Sequence, residues 1–337
     1  MTPLLEVMAP GLLSTIQDMG RPDAAPLGVP RSGASDPWSL AIANLLLGNE
    51  RDAAALEVTV AGPELLVLTP CTVAVSGADL GATDGLEDRA LTPGGSYRLR
   101  AGSTLLFRGA PAGVVSMSAR SYLAVAGGFE VPMVLGSAST CLAGGFGGLE
   151  GRALRTGDRL AVRGVPDGPV AGARWSGATP MDTPDAPIRL LPGPHTAIFG
   201  STVRDRLVTG RWTVGAESDR MGLRLEGQPI PSVDADKGTI VSIPVTWGAI
   251  QLPPGGHPIV LLADHQTVGG YPVVAVVCTA DLGRLGQLAP GASVRFAWTD
   301  HETAVAALRS QVRAFDGAAM LLRRTDSWDR LVEAAEG

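Results

Sequence analysis

The residues from Trp247 to Pro272 read Trp-Gly-Ala-Ile-Gln-Leu-Pro-Pro-Gly-Gly-His-Pro-Ile-Val-Leu-Leu-Ala-Asp-His-Gln-Thr-Val-Gly-Gly-Tyr-Pro. Their centre, Ile259 to Ala263, is a short apolar run, long enough for a strand buried on both faces and too short for a free-standing helix. Hydrogen-bonding side chains flank this run, and they are Gln251, Asp264, His265, Gln266 and Thr267. The Gly269-Gly270 turn that follows lets backbone approach a ligand closely. We therefore expect a site at the rim of this strand.

The spacing of these residues resembles the signature Gly-x-Ile-Gln-x-Pro, Gly-x-Pro, Asp-x-Gln-Thr-x-Gly-Gly-Tyr-Pro of the allophanate hydrolase subunit 2 family. Its members are also called KipA-like proteins or the C subunit of 5-oxoprolinase, and they resemble biotin-dependent carboxyltransferases. The resemblance implies two cyclophilin-like β-barrel lobes. At the matching positions it implies a catalytic Asp264 and substrate-binding roles for Gln251, Gln266, Thr267, Gly269, Gly270 and Tyr271.

Length and composition indicate an ordinary globular protein. The 337 residues are enough for two domains, and 45% hydrophobic with 18% charged residues argues against disorder. A net charge of -6 gives no indication of the positively charged surface that binds nucleic acid. No signal peptide or membrane-spanning apolar run is apparent, so we expect a soluble, cytoplasmic protein without membrane contact. The three scattered cysteines predict reduced thiols and no metal site.

The amino terminus carries a second polar cluster. Alternation over Leu13 to Gln17 predicts a strand that enters a polar turn. On the residues alone, Asp18 and Arg21 are explained by a turn closed by an Asp-to-backbone bond and an Arg-Asp pair. Similarity to the family motif Thr-x-Gln-Asp-x-Gly-Arg-Pro makes Gln17, Asp18 and Arg21 substrate-binding candidates.

One helix has clear start and stop signals. Asp36 is positioned to cap the first amides, Pro37 suits the first turn, and Gly48 suits a left-handed end. A capped core helix explains this pattern, and a helix amino terminus facing a ligand anion is the alternative. The family's Gly-Ala-x-Asp motif keeps Asp36 among the substrate-binding candidates.

From Ala55 to Val165 the pattern predicts short strands between Gly, Pro and Asp turns. Leu135 to Gly148 is dense in Gly, Ser and Thr, which suits either a plain ordered loop or a nest of amides around an anion. It is neither a Walker loop nor a nucleophile elbow. The family shares Leu-Gly-Ser-x-Ser-Thr here, which makes Ser137, Ser139 and Thr140 substrate-binding candidates.

The proline-rich stretch 166–187 predicts a linker between an amino-terminal β lobe at 1–165 and a carboxy-terminal cyclophilin-like lobe at 188–300. Residues 301–337 predict a helical extension, since Val305, Leu308, Val312 and Phe315 have helical spacing. Whether that helix packs on its own chain or on a partner is open. The predicted fold class is mainly β, with two barrel lobes and a few short helices.

The second lobe adds further site candidates. Asp219 and Arg220 suit a local ion pair, but they also belong to the block Ser-Asp-Arg-Met-Gly-x-Arg-Leu that the family shares, so both are catalytic candidates. Relatives tend to read Ser-Glu-Gly-x-x-x-Gly where residues 242–248 read Ser-Ile-Pro-Val-Thr-Trp-Gly. Trp247 is therefore expected at the entrance of the site, and the substrate is left open.

The resemblance implies three functions. The first is a subunit of ATP-dependent 5-oxoprolinase, active only in a hetero-complex with a subunit 1 or KipI-like protein and a third protein of the LamB/YcsF type, the A subunit of 5-oxoprolinase. There ATP is cosubstrate, Arg21 and Arg220 hold anions, and Asp264 or Asp219 activates water. The second is the carboxyltransferase component of a biotin-dependent urea carboxylase or allophanate system. The third is a KipA-like regulator without activity that binds a kinase inhibitor.

Two further expectations follow. No covalent biotin is expected on this chain, because Lys237 stands in Asp-Lys-Gly without flanking methionines. All functional hypotheses require that distant polar clusters converge on one pocket once the lobes close, namely those near Gln17, Asp36, Ser137, Asp219 and Gln266.

Overall fold

The computed structural model describes residues 3–109, 118–163, 171–179, 185–231 and 240–336, with side chains described as far as 322. The strands of the first half are β1 Pro3–Ala9, β2 Leu13–Gln17, β3 Ala55–Thr59, β4 Glu64–Val67, β5 Cys71–Gly77, β6 Ala82–Asp84, β7 Arg89–Ala90, β8 Gly95–Leu99, β9 Thr104–Phe107, β10 Arg120–Val125 and β11 Arg159–Ala161. Those of the second half are β12 Ile188–Pro192, β13 Trp212–Val214, β14 Gly222–Glu226, β15 Ile243–Pro244, β16 Ala249–Gln251, β17 Ile259–Leu261, β18 Val268–Gly269, β19 Val273–Val277, β20 Ser293–Val294 and β21 Phe296–Trp298. The α-helices are α1 Pro37–Leu45, α2 Gly200–Thr209, α3 Leu282–Gln287 and α4 His301–Glu336.

The first-half strands form two antiparallel sheets around one core. The six-stranded sheet has the order β11-β1-β4-β9-β6-β7, and the five-stranded sheet has the order β2-β3-β10-β5-β8. Strand β10 is buried at every position, because it lies between β3 and β5 with one face on the core and the other under α1. Leu56, Leu105 and Leu123 are fully buried between the sheets. Hydrophobic burial on this scale is the main stabilising contribution to the lobe.

The second-half strands form an eight-stranded sheet in the order β20-β13-β14-β17-β16-β19-β12-β21. Only β12 and β21 pair in parallel among these described strands. Strand β17 lies between β14 and β16, which explains its apolar sequence. A separate two-stranded flap, β15 with β18, stands beside the sheet. The mainly β fold class with two barrel lobes is confirmed.

The helix α1 follows its sequence signals. Asp36 accepts hydrogen bonds from the backbone amides of Trp38 and Ser39, both at 3.2 Å, and Pro37 fills the first turn. Gly48 has a left-handed φ of 67°, shortly after the helix ends at Leu45. The helix buries its apolar face against the five-stranded sheet.

The carboxy-terminal helix α4 returns to the first lobe. Phe315 packs against Trp38 and Trp175, with ring centroids 5.1 and 5.2 Å apart. Asp316 forms an ion pair of 2.6 Å with Arg51. Val312, expected on the buried face, is 38% exposed, whereas Phe315 is 5% exposed and packs in the same core as α1. The helix therefore packs on its own chain over the residues whose side chains are described.

The lobe boundaries stay a prediction. Residues 166–170 and 180–184 of the expected linker lie outside the described residues. Ala173 and Trp175, which do lie within the described part, run along β8: the amide of Ser96 donates to Ala173 at 3.0 Å, and the amide of Trp175 donates to Gly94 at 2.8 Å. This part of the expected linker thus adds to the first lobe.

Membrane spans and metal clusters are both absent from the described residues. No helix in that part of the chain has the length and apolar character needed to cross a bilayer. No group of three or more His, Cys, Asp or Glu side chains there is arranged to hold a metal ion. Cys71, Cys141 and Cys278 are buried and unpaired.

Candidate functional site

A cleft of about 410 Å³ lies on the second lobe, over strands β14, β17 and β16. The strand register places Arg224, Ile259 and Gln251 in one row across the sheet, so their side chains share a face. Val260, between the cleft residues Ile259 and Leu261, points into the core instead. The cleft is lined by Asp219, Met221, Gly222, Arg224, Gln251, Pro253, Ile259, Leu261, Gln266, Gly269, Gly270 and Tyr271.

The side-chain amide of Gln251 is the most informative group in this cleft. Gln251 is only 2% exposed, and its Nε2 has no hydrogen-bond acceptor among the described residues. Its Oε1 accepts a long hydrogen bond of 3.4 Å from Nε2 of Gln266. A buried donor without a partner costs about 1–3 kcal/mol, so an acceptor atom that enters the cleft would recover this energy.

The glycines of the flap leave room for that amide. A Cβ atom placed on Gly269 would lie 2.5 Å from Nε2 of Gln251 and 3.3 Å from Nε2 of Gln266. Gly269 pairs with Ile243 in the flap, and the carbonyl of Gly270 accepts a hydrogen bond of 2.8 Å from the amide of Ile240. The flap is thereby held against the two amides, with Tyr271 at 39% exposure on its rim.

Asp219 links the cleft to a second cavity. Its Oδ1 accepts hydrogen bonds from the amides of Met221 at 2.8 Å and Gly222 at 3.1 Å, which fixes the carboxylate in an Asx turn. Asp219 and Met221 also line a cavity of about 580 Å³ at the boundary between the lobes, together with Arg220 and Asp264. The three predicted catalytic residues therefore line one cavity, and it adjoins the cleft that holds five of the predicted substrate-binding residues.

Arg220 and Asp264 form a buried ion pair. Nε and Nη2 of Arg220 donate to Asp264 at 2.8 and 3.1 Å, and both residues are 3% exposed. Nη1 donates to Glu57 and, at 3.0 Å, to Ser35, while Nη2 also donates to the carbonyl of Gly33 at 2.6 Å. Burial alone lowers the pKa of Arg220, but the charges of Asp264 and Glu57 outweigh it and raise that pKa. Arg220 is thus a charged group that joins the two lobes.

Glu57 is the residue of this network that sequence reasoning missed. It lies in β3 and is 1% exposed, and it accepts hydrogen bonds from the amide of Ser35 and the hydroxyl of Tyr122, both at 2.8 Å. Arg120 approaches the same carboxylate at 3.5 Å. The sequence did contain a signal for this residue, since Glu57 lies in a strand that is otherwise buried. A buried glutamate requires a buried partner.

Stability is expected to fall on acidification through Glu57. Burial raises its pKa, but the charges of Arg220 and Arg120 outweigh this and lower it below the ordinary 4.5. Ionised Glu57 therefore stabilises the fold above that value, and the contribution is lost as the pH falls through the lowered pKa. The contribution of Asp36 to stability changes with pH in the opposite direction, because burial raises the pKa of Asp36. Urea unfolding at a series of pH values checks this prediction. The decrease in the free energy of unfolding at acid pH should be smaller in Glu57→Gln than in the parent protein, and an equal decrease in both would contradict it.

The amino-terminal candidates form a separate cluster around Asp18. Its carboxylate accepts hydrogen bonds from the hydroxyls of Ser137 at 2.6 Å and Ser139 at 2.5 Å, and from the amides of Ala138 at 2.6 Å and Gly20 at 2.7 Å. The Gly/Ser/Thr loop is therefore a nest whose anion is the protein's own Asp18. Asp18 also lines a different cavity, of about 470 Å³.

The other amino-terminal candidates bond to backbone and side-chain groups of the chain itself. Arg21 donates from Nη2 to Ser139 at 2.5 Å, and its guanidinium lies 5.1 Å from the ring centroid of Phe146. Thr140 donates to the carbonyl of Ile16 at 2.9 Å. Gln17 bonds to Thr140 and Gly33, and Asp36 bonds to its own helix and to Gln287.

The convergence expected from the sequence is therefore partial. Gln17, Asp18, Arg21, Asp36, Ser137, Ser139 and Thr140 line neither the cleft nor the 580 Å³ cavity. Thr267 is half-buried beside the flap, where its carbonyl accepts a hydrogen bond from Val245, and it does not line the cleft. Trp247 does not stand at the cleft's entrance either: it is 7% exposed and lies beneath Arg31. Ligand-binding roles for these candidate residues stay predictions.

The cleft does not fit a nucleoside triphosphate. Among the described residues, Arg224 is the one cationic residue that lines the cleft, and Asp219 places a carboxylate at its edge. A triphosphate requires several cations or converging backbone amides. Lys237, on which no biotin is expected, lies outside the described residues.

Comparison with known proteins agrees with this fold over nearly the whole chain. A family model described as the carboxyltransferase domain, subdomain A and B, matches residues 27–298. The chain is 36% identical over 329 residues to the C subunit of 5-oxoprolinase from Escherichia coli strain K12, and the match covers 95% of this chain and 99% of that protein. It is 35% identical over 283 residues to the Haemophilus influenzae protein of the same name, with coverages of 84% and 87%.

Among solved structures, the chain resembles the urea carboxylase of Kluyveromyces lactis, with a TM-score of 0.83 and 29% identity. The match covers 94% of this chain but only 29% of that one. The same fold therefore occurs both as a separate protein and as one part of a much longer enzyme.

Proposed function

This chain belongs to the carboxyltransferase domain, subdomain A and B, family, and from that premise we propose that it is the C subunit of a 5-oxoprolinase. The complex would open the ring of 5-oxo-L-proline to L-glutamate. The observation that carries the proposal is the end-to-end similarity to the E. coli protein, which spans 99% of that chain. The urea enzymes, by contrast, match this chain over a fraction of their length.

The chemistry of the cleft supports a small cyclic amide as ligand. A lactam carbonyl and a carboxylate are both hydrogen-bond acceptors, and the amides of Gln251 and Gln266 present donors to the cleft. Donors fixed in place before the reaction stabilise the charge that develops on a carbonyl oxygen. Asp219 stands where the cleft meets the second cavity, and there its carboxylate would orient or deprotonate water.

The complex would depend on ATP and on two partners. Because the cleft does not fit a triphosphate, we assign ATP binding to one of those partners. They are a subunit 1 or KipI-like protein and a LamB/YcsF-type protein, the A subunit of the enzyme, and the chain would be active only with them, in the cytoplasm. A second candidate function, carboxyl transfer from carboxybiotin to urea, is favoured by the structural likeness to urea carboxylase.

One experiment separates these functions. The chain is co-expressed with its genomic neighbours, and the purified complex is assayed for 5-oxoproline-dependent ATP hydrolysis and for carboxybiotin-dependent transfer to urea. Glutamate formation with ATP hydrolysis supports the proposal, and urea carboxylation alone overturns it in favour of the second function. Tight binding to the subunit 1-like protein with neither activity favours a KipA-like regulator.

Within this complex, Gln251→Met is expected to lower kcat/KM for 5-oxoproline by about one to two orders of magnitude. The substitution keeps the side-chain length but removes a donor to the substrate, and such a loss is worth about 1–3 kcal/mol. Gln228→Met is the matched control, since Gln228 is exposed and bonds only to Arg206 among the described residues. Equal activity of both variants would exclude Gln251 from substrate binding.

A further inference from the structure

A pair of stacked side chains lies away from the cleft, at the boundary between the lobes. The guanidinium carbon of Arg31 is 5.1 Å from the ring centroid of Trp247. Nη2 of Arg31 donates to the carbonyl of Met19 at 3.3 Å, which holds the arginine on the first lobe. Trp247 belongs to the second lobe, in the loop before β16. The stack therefore spans the two lobes.

Three donors, on Arg31, on its chain neighbour Ser32 and on Trp247, have no acceptor among the described residues. Nε of Arg31, Oγ of Ser32 and Nε1 of Trp247 are buried and make no hydrogen bond to the described residues. The guanidinium and indole nitrogens donate and cannot accept, so only an acceptor atom satisfies them. Burial lowers the pKa of Arg31, and a bound anion would offset that cost. Native proteins rarely leave buried donors unpaired without a functional reason or a bound partner.

Stacking on arginine does not by itself leave an indole N–H unpaired. Arg204 lies over Trp298 at the same distance, 5.1 Å. There the indole Nε1 donates to the carbonyl of Arg204 at 3.0 Å. The indole of the Arg204–Trp298 stack has its acceptor within the chain, whereas that of the Arg31–Trp247 stack has none in the described part of the chain.

His265 adds an acceptor beside these donors. Its Nδ1 lies 2.6 Å from the carbonyl oxygen of Gln266, so Nδ1 carries the proton and Nε2 keeps its lone pair. His265 is 6% exposed, and burial lowers its pKa, with the charge of Arg31 acting in the same direction. A neutral imidazole next to Arg31 accepts a hydrogen bond from a protonated ligand oxygen, which hydrogen phosphate has and a carboxylate lacks.

The backbone that carries Arg31 is held in an uncommon conformation. Ser32 has a φ of 54°, and Gly33 follows it with a φ of 93°. A Cβ atom on Gly20 would lie 2.6 Å from the carbonyl oxygen of Ser32, so this glycine permits the close approach of the two segments. Strain of this kind at a non-glycine residue is concentrated at functional sites.

We propose that Arg31 and Trp247, with Ser32 and His265 beside them, form a second binding site for a small oxyanion. A carboxylate and a phosphate share the chemistry that these donors recognise. None of the four residues lines the cleft assigned to the substrate, although His265 bonds to the backbone of Gln266, which does line it. The proposal does not depend on the function proposed above.

The test follows the indole N–H resonances of the whole chain by ¹H–¹⁵N spectroscopy. Trp247→Phe and Trp298→Phe assign the two resonances, and the protein is titrated with sodium phosphate, sodium acetate and, at matched ionic strength, sodium chloride. The Trp247 resonance is expected to shift saturably with one oxyanion or both, and the Trp298 resonance is expected to stay in place. The two oxyanion arms distinguish phosphate from carboxylate.

Matched variants then distinguish specific binding at Arg31 from nonspecific effects of the added salt. Arg31→Gln is expected to weaken the apparent affinity about tenfold or more, the scale of one charge-assisted hydrogen bond, whereas Arg204→Gln leaves it unchanged. If Arg31→Gln does not fold, Arg31→Lys keeps the charge and removes Nε, and the same weakening is expected. No saturable shift, an equal shift with chloride, or a shift that survives the Arg31 substitution overturns the proposal.

Discussion

Replacing Arg220 with alanine is expected to lower the free energy of unfolding by about 3–5 kcal/mol. The substitution leaves the carboxylates of Asp264 and Glu57 buried without their main partner, and both are at most 3% exposed. It also removes the donors that Ser35 and Gly33 accept from, so the first lobe loses its charged link to the second. The measurement is urea unfolding of the isolated chain at neutral pH, followed by circular dichroism.

The control for this prediction is Arg159→Ala. Arg159 is also paired with a glutamate, at 3.1 Å from Glu6, but its side chain is 62% exposed. Solvent screens such a pair, and the expected loss is at most about 1 kcal/mol. If both alanine variants unfold at the same urea concentration, Arg220 does not join the lobes in the way its contacts indicate. A catalytic role for Arg220 is testable only in a variant that stays folded, because unfolding also abolishes activity.

Gly286→Ala is expected to destabilise the protein by about 3 kcal/mol, near the upper end for overpacking. Gly286 lies in α3 of the second lobe, and a Cβ atom there would be 1.9 Å from the carbonyl oxygen of Ser35 in the first lobe. The obstacle is backbone at the start of α1, which cannot rotate away as a side chain does. The added methyl group therefore forces the lobes apart, and the interlobe bond from Gln287 to Asp36, at 2.9 Å, is strained with them.

Gly317→Ala serves as the opposite control. Gly317 also lies in a helix, α4, but nothing stands within 4 Å of the Cβ position. Alanine favours an exposed helix over glycine by about 1 kcal/mol, so this variant should gain stability. Thermal unfolding of both variants tests the two predictions. If Gly286→Ala is as stable as the parent protein, α3 is able to move away from Ser35 without cost.

Local sequence determined the secondary structure and the position of the cleft. The short apolar run that begins at Ile259 predicted a strand, which is β17, because one buried strand requires no distant information. Asp36 and Pro37 predicted the start of α1 for the same reason. Gln251, Gln266 and Gly269 meet in one cleft because they lie on neighbouring antiparallel segments of a single stretch. Their proximity follows from chain connectivity.

Only the tertiary structure decided which charged groups meet and which are enclosed. Glu57 reaches Arg220 across a separation of 163 residues, and Asp18 reaches Ser139 across 121. No periodicity in the sequence encodes such pairs. The first depends on how the two lobes pack against each other, and the second depends on how distant segments of the first lobe meet. Tertiary packing also places Trp247 beneath Arg31 and Phe315 of the carboxy-terminal helix against Trp38 of the first lobe. The sequence determines local conformation because each residue's backbone preferences depend on itself and its near neighbours. Burial and charge pairing depend on distant parts of the chain, because they arise only when those parts pack together and exclude water.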